Sequence, residues 1–168
     1  MRTATLDPVT TTRRLLPFGW RNALLTAHIA ISVGLLGDSA GFLALSIRLA
    51  NLDDPAARAE LLRVLHLFAM LFGIPLSFGA IITGVALGLG TKWGVFRYPW
   101  VVAKLLLIVS VMAVGGAIIG PAEKAMLEGH AEAVSRLIAA ASYDVVALLL
   151  ATGLSVFKPG RRFRSAAP

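Results

Sequence analysis

The sequence predicts an all-α membrane protein: four transmembrane helices in a compact bundle, with both termini cytoplasmic. Three observations carry this expectation. The 168 residues are 57% hydrophobic and only 15% charged, with a mean hydropathy of +0.79, whereas soluble domains run nearer one quarter charged. The apolar residues gather into four stretches, each near the roughly 20 residues that a bilayer requires. The cations are distributed unevenly between alternate connections, as the positive-inside rule demands.

The four spans run from about Ala23 to Leu49, Leu61 to Leu89, Trp100 to Ile119 and Leu137 to Phe157. The connections between them, around 51–60, 90–99 and 120–136, are too short to fold as domains. Residues 1–19 read as a disordered cytoplasmic arm, 20–158 as the transmembrane domain and 159–168 as a basic cytoplasmic tail. The first apolar stretch is too long for a cleavable signal peptide and has no small-residue cleavage site after it. With no cysteine, disulfides, iron–sulfur clusters, thiolate zinc sites and cysteine nucleophiles are excluded.

The net charge is +7, and its placement decides its meaning. Arg2, Arg13, Arg14, Arg21, Lys92, Arg97, Lys158, Arg161, Arg162 and Arg164 fall on one side. Arg48, Arg58, Arg63, Lys124 and Arg136 fall on the other, with six acids: Asp53, Asp54, Glu60, Glu123, Glu128 and Glu132. This bias puts both termini in the cytoplasm of a cell whose inner (plasma) membrane the chain crosses several times. The expected partners are the lipid bilayer, anionic headgroups at the basic termini and a second copy or another membrane protein. Nucleic acid is not expected, because cations beside a spanning helix act as topology anchors. Small residues let membrane helices approach closely, and each span offers them: Gly37 and Gly41, Gly84 and Gly88, Gly116 and Gly120, and Ala147, Ala151 and Ser155.

Ionisable residues inside a membrane are costly and point to function. Asp38 lies ten positions before Arg48, and Asp144 eight after Arg136. These spacings place the carboxylates roughly 15 Å and 12 Å in from the same flank, at 1.5 Å per residue. Both sit on small-residue faces. Pro75 removes its own N–H bond and frees the carbonyl of Leu71, roughly 14 Å in. Asp38, Asp144 and the Leu71 carbonyl therefore form a candidate layer for a proton or a cation. The competing structural reading has the two acids fastening helices through hydrogen bonds to backbone carbonyls.

Other polar residues carry weaker signals. His66, Glu128, His130 and Glu132 make an outer set of metal-ligating types without a specific spacing, and no metal is predicted. His28 and His66 are haem-ligating types near opposite ends of the bundle, so one chain does not place them on one haem. Trp93, Arg97, Trp100 and Lys104 form an anchor at the cytoplasmic rim, with Lys104 snorkelling along Trp100.

The stretch Gly90-Thr91-Lys92-Trp93-Gly94-Val95-Phe96-Arg97-Tyr98-Pro99-Trp100-Val101-Val102-Ala103-Lys104 contains the pattern W-G-x-x-R-x-x-W-x-x-x-K after a Thr-Gly-containing helix. It resembles a family of uncharacterised four-helix bacterial integral membrane proteins, frequent in actinobacteria, which commonly also have a His early in the first helix, like His28. The resemblance covers about Leu24 to Lys104. It implies a fold and a location, and no activity. Many relatives have a Trp in mid-span where this chain reads Leu35-Leu36-Gly37-Asp38.

The expected function is that of an integral membrane scaffold or partner subunit without enzyme chemistry. A second reading is a small proton- or cation-linked transporter or channel subunit using Asp38 and Asp144. A third is a haem- or quinone-binding redox helper using His28 or His66. The sequence specifies no cofactor.

Overall fold

Capping residues carry the helices well past the ends of the apolar spans. The computed structural model describes residues 18–90 and 98–157. Helix α1 is Phe18–Ala50. Helix α2 is Pro55–Gly90, α3 is Pro99–Leu127 and α4 is Val134–Phe157. All four are long and apolar enough to cross a membrane. Among the described residues there is no β-strand. The expected tail 159–168 lies outside the described residues, as does the arm, except for Phe18 and Gly19, which are already helical.

Each extension has a local cause. The Asp54 side chain accepts from Ala56 N at 3.0 Å and Ala57 N at 3.4 Å. Pro55 follows at a first-turn position, where its missing N–H is harmless. Helix α2 therefore begins six residues before the apolar stretch. Helix α3 opens on Pro99 after the extended residue Tyr98. It ends at Gly129, whose φ of 95° favours glycine. There Gly129 N bonds to Met126 O and His130 N to Ala125 O, at 3.1 and 3.0 Å. This double closure is the Schellman arrangement.

Two helices are interrupted rather than broken. Pro75 and Pro121 cannot donate to the carbonyls four residues back. Each follows a single π turn, Ala69–Gly73 in α2 and Gly115–Ile119 in α3. Ile74 N–H reaches Ala69 O, and Gly120 N–H reaches Gly115 O. The extra residue in each turn shifts the helical register just ahead of the proline.

Helix α1 packs against α2 and α4, and α4 also packs against α3. Helices α2 and α3 touch toward their ends and separate at the two π turns. Two apolar clusters fill the interior. One, with Leu49, Leu65 and Leu137 fully buried, lies at the end carrying residues 51–54 and 128–133, here termed the loop end. The other, around Leu35, Val111 and Ala147, lies toward the terminal end. The outside is apolar as well: Val33, Ile82, Leu106 and Leu149 are 65%, 64%, 64% and 52% exposed. Such a surface has no place in water and suits lipid.

The glycine faces differ in use. On α1 the close contacts are at Gly34, 3.6 Å from Leu76, and Gly41, 3.5 Å from Phe68, measured from the position a Cβ would occupy. Gly37 and Gly116 meet nothing within 4 Å. The expected close-contact motif on α3 thus faces open space, and Gly115, Gly116 and Gly120 line a cavity instead.

Candidate functional site: an acid-lined cavity between the helices

Between the two apolar clusters lies a cavity of about 530 Å³. Every helix contributes an ionisable side chain to its wall: Asp38 from α1, His66 from α2, Glu123 and Lys124 from α3, and Asp144 from α4. Both π turns line it through Ala69, Met70, Gly73, Gly115, Gly116 and Ile119. Single π turns inside α-helices occur frequently at functional sites. Here α2 and α3 stand apart at the two π turns, which both line the cavity.

Helical spacing positions each acid. Asp38 shares a face with Leu35 and Phe42, both buried. Asp144 belongs to the most buried face of α4, with Ala140, Ala141, Ala147 and Leu148. Glu123 lies between Ala122 and Met126 on the continuation of α3 beyond Pro121, and it is 7% exposed, as is Asp144. Asp38 approaches the first π turn closely: a Cβ on Gly73 would stand 3.2 Å from Asp38 Oδ2.

The hydrogen bonding of these acids is incomplete. His66 Nδ1 and Glu123 Oε2 share a hydrogen bond at 3.2 Å, its direction set by which of the two holds the proton, and the His66 side chain is 58% exposed against 10% for Glu123. Asp38 Oδ1, Glu123 Oε1 and Asp144 Oδ1 are buried with no partner. A buried polar atom left unpaired costs about 1–3 kcal/mol, and native interiors hold few of them. Three in one cavity make this the most chemically loaded place among the described residues.

The structure brings Asp38 and Asp144 to one cavity and leaves Leu71 out. Leu71 is 63% exposed and does not line the cavity. The π turn changes the register ahead of Pro75, so Asp38 meets Gly73 rather than a carbonyl of Leu71. Ser39 lines the cavity. Tyr143 is turned outward and donates to Ser110 Oγ at 2.6 Å.

The outer set does not assemble. His66 pairs with Glu123, His130 with Glu132 at 3.3 Å, and Lys124 with Glu128 at 3.9 Å. Among the described residues no group of three or more His, Asp or Glu stands close enough to hold a metal ion. Glu132 is exposed, and its carboxyl is held below the ordinary range by a backbone hydrogen bond at its own residue, with His130 adding to the effect.

His28 sits toward the other end. Thr83 Oγ1 spends its single hydrogen on Gly79 O at 2.6 Å, so it accepts from His28 Nδ1 at 2.8 Å. Nε2 is therefore the unprotonated ring atom when His28 is neutral. The ring packs on Gly84, where a Cβ would stand 3.2 Å from His28 Cε1. Thr83 and His66 are seventeen positions apart on α2, roughly 25 Å. No haem within one chain bridges His28 and His66. At the rim, Trp93 and Arg97 lie outside the described residues. Trp100 and Lys104 are partly buried, Trp100 pairs with Tyr98 at 6.3 Å between ring centroids, and Lys104 lies within electrostatic reach of His28.

Sequence reasoning missed Glu123, which reads as an outer-loop acid if the third span stops at Ile119. The signal was present: Pro121 follows a glycine-rich turn much as Pro75 does, and Ala122 and Met126 keep the helical apolar spacing beyond it.

Fold and cavity together define a four-helix protein, with helices long and apolar enough to cross a membrane, built around an acid-lined interior site. Comparisons with known proteins give no matching family model, no matching curated protein and no matching solved structure.

Proposed function

We propose that the chain is a multi-pass protein of the bacterial inner membrane, both termini cytoplasmic, whose helical bundle moves protons or a cation through the cavity lined by Asp38, Glu123 and Asp144. One observation carries this reading: all four helices deliver an ionisable side chain to one cavity, and the three carboxylates among them each keep a buried oxygen without a partner. A pure scaffold would use such acids to fasten helices, because buried polar groups are normally satisfied. Leaving them unpaired is the mark of groups that exchange a proton or meet a ligand.

The roles follow from position. Asp38 and Asp144 form the inner pair, beside the apolar cluster of Leu35 and Val111. Glu123 stands nearer the loop end. His66, bonded to Glu123 and more than half exposed, links the interior acids to the aqueous surface. A proton taken from an interior carboxyl would pass to Glu123, then to His66 and to water. Each of the two inner acids keeps a buried oxygen without a partner, a place where a carboxyl can hold and give up a proton.

The test is proton movement in vesicles. Full-length protein reconstituted with a pH-sensitive dye inside should dissipate an imposed pH gradient faster than empty vesicles. Asp144→Asn, which preserves shape, should bring the rate down to the empty-vesicle value. Equal rates for the wild type and empty vesicles, at several cation compositions, would refute the reading.

A further inference from the structure

Resting on the proton-handling reading, we infer that the cavity binds a lipophilic organic cation that enters from the lipid between α2 and α3. Two features of the wall point to this class. Its surface is mostly apolar, with Phe42, Met70, Ile74, Phe78 and Met112 among its residues. Three of its polar residues are the carboxylates Asp38, Glu123 and Asp144, and Asp144, more than nine-tenths buried, presents an oxygen without a partner. Glu123, equally buried, presents a second. An anion finds no buried cation on such a wall, and a neutral molecule cannot compensate the charge left when a carboxyl gives up its proton.

Size and arrangement separate organic from inorganic cations. The three acids are spread over three helices, and among the described residues no three acidic or histidine side chains converge as a metal requires. A dispersed array suits a large ion with delocalised charge. The volume of about 530 Å³ falls in the range of sites for small organic ligands. The wall also includes the aromatic residues Phe42 and Phe78, a residue type that attracts organic cations.

The entrance is on the lipid side. Helices α2 and α3 part at their π turns, and Met70, Ile74 and Phe78 on the gap are 48%, 43% and 52% exposed. The other charged groups on the wall do not oppose a cation. Lys124 is 79% exposed and directed to Glu128, and His66 is engaged with Glu123. In the balanced step, one cation enters as one carboxyl proton leaves for water, so the charge within the cavity is unchanged.

The test uses the full chain in lipid nanodiscs and tetraphenylphosphonium as the probe, read by titration calorimetry. Saturable binding is expected, with proton release revealed by buffers of different ionisation heat. Affinity should rise about tenfold per pH unit while the free acid stays protonated. Asp144→Asn and Glu123→Gln should each weaken binding about tenfold. Wild-type measurements alone also decide, because tetraphenylborate, the same shape with opposite charge, should not bind. Equal binding of the two ions, displacement of the probe by sodium ion at equal charge concentration, or an affinity indifferent to both substitutions would overturn the inference. Proton flux in vesicles without any binding of the probe would overturn it and leave the proton-handling reading standing. Binding without proton release would sink that reading and leave the organic-cation site.

Discussion

Replacing Asp144 by Leu should stabilise the protein. The carboxylate is 7% exposed, and its Oδ1 has no partner, so the substitution relieves a desolvation cost of about 1–3 kcal/mol. The added methyl groups grow into a cavity of about 530 Å³ rather than into packed atoms, so overpacking does not offset the gain. Asp144→Asn keeps the polar atoms and should stay near wild type. If instead the carboxylate fastened helices, Leu would remove a charge-assisted bond and lose about 1.5–3 kcal/mol. The two outcomes differ in sign. Reversible denaturation of the reconstituted protein, followed by circular dichroism, resolves them. A Leu variant destabilised by about 1.5 kcal/mol or more, with Asn restoring stability, would show that the acid is a structural fastener and refute the reasoning.

Three further outcomes follow from the geometry. Gly73→Ala should gain up to about 1 kcal/mol from helix propensity while slowing vesicle proton flux, because the new methyl would stand 3.2 Å from Asp38 Oδ2; unchanged flux in a folded variant counts against a role for Asp38. Nitrogen chemical shifts should identify Nδ1 of His28 as the protonated ring atom in wild type, and Gly84→Ala should perturb that signal by pressing on the ring; a wild type protonated at Nε2 alone would contradict the Thr83 arrangement. Reporter fusions at Asp54 and at the C-terminus should report opposite sides of the membrane, with the C-terminus cytoplasmic, and a common side would overturn the orientation.

The four helices were legible because their signals are local and strong. Long apolar runs, Asp54 before Pro55, and Pro99 at a helix start each act within a few residues. The two acids on α1 and α4 were equally legible, since depth follows from counting residues at a fixed rise. What the sequence concealed depends on how helices respond to proline. Pro75 was expected to free a carbonyl at Leu71 in the layer of the two acids, but a π turn over Ala69–Gly73 changes the register and Leu71 lies on the outside, off the cavity wall. Gly120-Pro121 looks like the end of a span, yet the same device carries α3 on to Leu127 and brings Glu123 inward. The glycines near 115 and 116 are the residues of a helix contact in sequence and the floor of a cavity in space. That distinction depends on the separation of α2 from α3, a long-range property that local pattern does not encode.

The central claim is that Asp38, Glu123 and Asp144 are chemically addressable acids inside an apolar cavity open to lipid. Dicyclohexylcarbodiimide, which enters apolar sites and adds to protonated carboxyls, tests it directly when the full chain in membranes is treated and mapped by mass spectrometry. The account predicts adducts on Asp144 and on Asp38 or Glu123, suppressed by tetraphenylphosphonium, with Glu60, Glu128 and Glu132 unlabelled. Label confined to those exposed acids, with Asp144 unmodified, would contradict it.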